Sequence, residues 1–188
     1  MQLQTRLINS DNYLYSPPVL DIIKNEDNTV SSFFRSKARS NAEFRKHLVE
    51  KFEPIFVSTL KSQELEIDYR NQIEILLEEL FQENQLATKD WLNDVYVEHF
   101  QDSRFLINIL KIIGNFDKEL LSSFGIVPSG AALSHKSAEV KEMAIRVFEN
   151  WNTIESYTFL KNCSLTPDWL EDYKNQVLFN IEEELCLI

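Results

Sequence analysis

The chain has 188 residues, a formal net charge of −11 and 44% apolar residues, enough for one domain with a full core. Only three glycines and five prolines occur, too few turn-formers for a sandwich or barrel, so short connections between helices are expected. The negative charge disfavours nonspecific contact with nucleic acid, and two cysteines make neither a disulfide framework nor a metal motif.

Residues 1–40 differ from the rest. They hold Pro17 and Pro18 and the polar run Lys24 to Asn28, with weak alternation at Leu3, Thr5 and Leu7. An irregular arm is expected here, with a short strand near its start and a short helix near Val19 to Lys24.

Helical periodicity begins at Ser40 and marks residues 41–188 as a single all-helical domain. Phe44, Leu48, Phe52, Ile55, Phe56 and Leu60 keep the spacing of one helix face, with a kink or break expected at Pro54. Leu65, Tyr69, Ile73, Leu76, Leu77, Leu80 and Phe81 predict a second amphipathic helix whose outer face carries Glu66, Glu74, Glu78, Glu79 and Glu83. Thr88 is the expected cap of a third, with Trp91, Leu92, Val95, Tyr96 and Phe100 inward. Asp102 caps a fourth, RFLINILKIIG, apolar on most sides and therefore buried between neighbours, with Gly114 as its C-terminal cap. A short helix from Asp117 to Phe124 should end at Gly125, and Pro128 should open the next.

Ser137 caps a long amphipathic helix with Glu139 in its first turn and Val140, Met143, Ala144, Val147, Phe148 and Trp151 on its apolar side. Thr153 to Lys161 predict another helix. Thr166-Pro167-Asp168 is a start signal for the last, which is expected to bury Trp169, Tyr173, Val177, Ile181 and Leu185.

A shift of about 35 residues brings two of these segments into register. Asp102 falls on Ser137, Phe105 on Val140, Ile109 on Ala144, Ile113 on Phe148, Asn115 on Asn150 and Phe116 on Trp151. In the second copy, Glu139-Val140, the small Ala144 and the closing Asn150-Trp151 resemble the second-to-third-helix segment of armadillo and HEAT repeats. The first copy departs from that pattern at Phe105 and Ile109, and the period is shorter than these families show. The resemblance covers about residues 88–185. It implies an all-α fold, a short armadillo/HEAT-like α-solenoid formed as a right-handed stack of antiparallel helices. It further implies a scaffold that binds proteins and has no catalytic residues.

The residues themselves offer little chemistry. His47, His99 and His135 form no HExxH arrangement, and the cap at Ser137 separates His135 from Glu139, so no metal or other cofactor is expected. Ser58 and Lys61 fit S-x-x-K, but no K-T-G follows. Carboxylate pairs such as Glu78-Glu79 read as solvated helix faces, and Trp91, Trp151 and Trp169 read as core. One basic cluster breaks the acidic trend: Arg35, Lys37, Arg39, Arg45 and Lys46, interleaved with Phe33, Phe34 and Phe44. It suits either contact with phosphate or an acidic partner, or packing against the chain's own acidic helices, the last being the more economical reading.

The expectation is a non-enzymatic, cytoplasmic protein-binding or scaffold module. Its partner is a protein of basic character, with no nucleic acid and no membrane. The alternatives are a subunit of a homo- or hetero-oligomeric complex, or an enzyme with a His–carboxylate site assembled from distant helices.

Overall fold

The computed structural model describes residues 40–66, 70–121 and 123–185, and among them every regular element is helical. The arm, its short strand and its short helix lie outside the described residues. Among the described residues, no helix is long and apolar enough to cross a membrane.

Helix α1 spans Asn41–His47 and opens with a reciprocal cap. The Ser40 hydroxyl accepts the Glu43 amide, and the Glu43 carboxylate accepts the Ser40 amide. The chain then widens into one π-helical turn, Leu48–Phe52, before α2, Glu53–Ser62. Pro54 explains the widening. It has no N–H, and in a regular α-helix its ring would collide with the carbonyl four residues back. The Glu53 amide instead reaches five residues back to Leu48. Pro54 thus stands in the first turn of α2, where proline is tolerated.

Helix α3 runs from Gln72 to Glu98, starting later than the periodicity predicts. Leu65 is buried in the preceding connection, and Asn71 caps the helix by accepting the Glu74 amide at 2.9 Å. Tyr69 lies outside the described residues. Thr88 is no cap. The break falls at Asn84, whose backbone leaves the helical region and whose side chain accepts the Ala87 amide at 3.1 Å. Thr88 is fully buried beyond the kink and donates to the Leu80 carbonyl at 3.0 Å.

Asp102 caps α4, Ser103–Asn115, by accepting the Phe105 amide at 3.1 Å. Gly114 lies inside its last turn rather than capping it. After the single turn α5, Lys118–Leu121, helix α6 spans Ser123–Ala132 and passes through both Gly125 and Pro128. Gly125 therefore does not end a helix and Pro128 does not open one. Phe124, Gly125, Pro128 and Ser129 are buried, and tertiary burial outweighs the local propensity against helix.

Ser137 caps α7, Ala138–Trp151, which ends at Asn152 in the left-handed region, a conformation asparagine tolerates. Thr153 caps α8, Ile154–Lys161. Helix α9 spans Asp168–Glu184, with Pro167 outside it in the capping position. Its buried side is Leu170, Lys174, Val177 and Ile181, whereas Trp169 and Leu185 are exposed.

The helices adjoin in an ordered way. Helix α4 packs on α2 and, most extensively, on α7, which packs in turn on α9. Alongside, α1 packs on α3 and α3 on α6, while α8 lies on α7 and α9. Phe105, Leu106, Ile109, Leu110, Ile112 and Ile113 of α4 are all buried, as expected for a helix enclosed by neighbours. An aromatic cluster fills the α2–α3–α4 junction. Trp91 lies 5.3 Å from Phe56, ring centre to ring centre, and Phe56 lies 6.3 Å from Phe105, both edge-on.

Candidate functional site

The predicted basic cluster divides. Arg35, Lys37 and Arg39 lie outside the described residues. Arg45 pairs with Asp94 of α3, and Lys46 lies 3.7 Å from Glu50 one turn on in its own segment.

A cleft of about 450 Å³ opens between the ends of α6 and α8, lined by residues including Gly130, Leu133, Phe159, Cys163 and Leu165. Gly130 has no side chain because the Phe159 ring occupies the space a Cβ would need. Among the described residues, no charged one lines this cleft. The Cys163 thiol donates to the Leu160 carbonyl at 3.2 Å, and burial pushes its pKa up, which suppresses the thiolate a nucleophile needs.

The other ionisable groups of interest are structural. Glu74, expected on the outer face of its helix, is 1% exposed. Its carboxylate accepts from Asn71 at 2.7 Å and from Asn115, at the end of α4, at 3.3 Å. Burial raises its pKa to about 7 despite these donors and the nearby Arg70. His135 is buried, its Nδ1 accepts the Ser137 amide at 3.1 Å, and its ring meets Phe100 edge-on. Burial lowers its pKa. Glu139 is exposed. His99 is half-buried against Phe105, with 4.8 Å between ring centres. Among the described residues, no group of three His, Cys, Asp or Glu side chains comes together to hold a metal.

Cations along the α4–α7 face are already engaged. Arg104 donates to the Ser62 carbonyl at 3.2 Å and Lys111 to the Leu65 carbonyl at 2.6 Å. Arg146 bonds Glu142 at 2.9 Å and lies over the Tyr173 ring. The tyrosine hydroxyl donates to Glu149, and burial raises its pKa.

The outer side of α9 is different. Trp169 is 47% exposed and Phe179 is 52% exposed, among the acids Asp172 and Glu183. Of the three tryptophans expected in the core, Trp91 is there, Trp151 is half-buried and Trp169 is exposed. The missed signal was a second spacing, Leu170, Lys174, Val177 and Ile181, overlapping the one that included Trp169. Against known proteins, no family model matches this chain, and neither a curated protein nor a solved structure does.

Proposed function

We propose that the chain is a non-catalytic protein-binding or scaffold module built on a short right-handed solenoid of antiparallel helix pairs, as the resemblance to armadillo and HEAT repeats implies. What carries this reading is the order of helix contacts. Each of α2, α4, α7 and α9 touches the next, while α3 and α6 adjoin beside them. Stacks of this kind present long continuous surfaces rather than one deep pocket, and they are used to hold other proteins. The excess of acidic over basic residues suits a partner of basic character.

The test is purification of the tagged chain from its native cells with identification of what co-elutes. A stoichiometric partner, retained by the wild type and lost when charges along one helix face are reversed, is the expected result. Its absence from gently lysed cells would overturn the reading.

A further inference from the structure

Helix α9 closes the row α2–α4–α7–α9 among the described residues. The terminal unit of a helical stack normally turns a polar face outward, because nothing further covers it. This one does not. Trp169, Asp172, Gln176, Phe179 and Glu183 follow at spacings of three and four residues, which puts them on one stripe opposite Leu170, Val177 and Ile181. The two aromatics stand about 15 Å apart along the axis, close to three turns of a helix laid alongside.

The charge around them is one-sided. Helix α9 carries Asp168, Glu171, Asp172, Glu182, Glu183 and Glu184 against the single cation Lys174. Lys174 is buried and bonded to Glu171 and to the Cys163 carbonyl, so it does not soften the outer face. Glu182 accepts from Tyr157 and Glu184 from Asn152. The side-chain carboxylates of Asp168, Asp172 and Glu183 have no hydrogen-bond or ion-pair partner among the described residues.

We propose that the outer face of α9, with Trp169 and Phe179 as anchors and Asp168, Asp172 and Glu183 as the charged rim, docks a basic amphipathic helix of a partner protein. This rests on the scaffold reading above and gives it a surface and a class of partner. Charge complementarity selects the occupant. A second copy would set this acidic helix against another like it, and nucleic acid or an anionic bilayer would meet the same repulsion. A helix suits the surface better than an extended strand. The backbone of α9 is bonded internally and offers no edge to pair with, whereas an apolar stripe packs into the ridges of a helix face.

The experiment titrates the full chain into two labelled synthetic helices, each about 18 residues long so that they hold their shape. Both have leucines on one face; the other face is lysine and arginine in one and glutamate in the other. Fluorescence anisotropy reads binding. The basic helix should bind about tenfold or more tightly than the acidic one, with affinity falling as salt rises. Trp169→Ala with Phe179→Ala should weaken it about tenfold or more, and Asp172→Lys with Glu183→Lys should do the same by another route. All four side chains are on the outer face, and circular dichroism of each variant checks the fold.

Equal binding of both helices, or binding unchanged in both variants, would overturn the proposal. So would self-association of the wild type that is abolished by W169A/F179A, since the occupant would then be a second copy. The two readings fail separately. A native partner that still co-elutes with W169A/F179A leaves the scaffold standing and removes this surface from it. Absence of any co-eluting partner removes the scaffold itself.

Discussion

Asn108 of α4 accepts the Leu65 amide at 3.2 Å on its Oδ1 and donates its Nδ2 to the Leu60 and Gln63 carbonyls, each at 2.8 Å. One buried amide thereby satisfies three backbone groups in the segment that leaves α2. Unpartnered, each such group costs about 1–3 kcal/mol. Asn108→Leu keeps the volume but removes every one of these bonds. It should destabilise the fold by about 3 kcal/mol or more, read as a lower urea midpoint with an unchanged slope.

Glu74 and His135 give the stability a pH dependence of two opposite signs. Glu74 keeps its proton in the fold up to about pH 7, whereas the unfolded chain releases it near 4.5. Between those values the folded state binds more protons, so stability falls as pH rises through the window, by on the order of 3 kcal/mol for so buried a group. Glu74→Gln preserves an acceptor for Asn71 and Asn115 without the charge. Its advantage over the wild type should grow from near zero at pH 4 to about 2–3 kcal/mol at pH 8 in denaturation curves.

His135 works the other way. Burial lowers its pKa from 6.5, so the unfolded chain takes up a proton first as the solution is acidified. Its contribution is present above about pH 6.5 and is lost as the pH falls below it. His135→Gln should remove that loss below about pH 6.5 and leave the opposite Glu74 dependence, which runs from about pH 4.5 to 7, standing alone in the stability profile.

Much of the fold was legible because its signals are local. The caps at Asp102 and Ser137 and the apolar positions of α4 and α7 lie within a few residues of one another, and both helices occur where the pattern puts them. The misreadings at Glu74 and Trp169 share a cause, which is a partner more distant along the chain. Glu74 reads as a surface acid until Asn115, 41 residues away, is placed beside it. On α9 the Cys163 carbonyl accepts the Lys174 ammonium at 2.7 Å. That bond lets a lysine share the buried face of α9 with Leu170, Val177 and Ile181, and Trp169 turns outward as a result. Val177 and Ile181 belong to both possible faces, so spacing alone did not separate them. The aromatic stripe of α9 was hidden for the same reason.

Thr88 bridges the kink in α3. Its hydroxyl donates to the Leu80 carbonyl across the break at Asn84, in a fully buried setting. Thr88→Val is close in shape but cannot donate. The variant should lose about 1–3 kcal/mol, and hydrogen exchange of amides around residues 80–88 should quicken more than that of α7.

Two glycines inside helices should respond to alanine with opposite signs. At Gly125 in α6 an added methyl would overlap the indole of Trp151, whose Nε1 is fixed by donating to the Phe116 carbonyl at 3.1 Å. Trp151 cannot retreat without breaking that bond, so Gly125→Ala should destabilise by about 1–3 kcal/mol, as overpacking does. At Gly114 in α4 the same methyl would meet Val147 and Asn150 at 3.5 Å, an ordinary contact. Alanine there restricts the unfolded chain and suits the helix, and should stabilise by about 0.5–1 kcal/mol. Thermal denaturation of the two variants side by side decides the matter. If G125A melted at or above the wild-type temperature, the close packing of α6 against the end of α7 would be wrong. If G114A melted lower, the spacing between α4 and α7, the most extensive helix contact among the described residues, would be too tight for the added methyl.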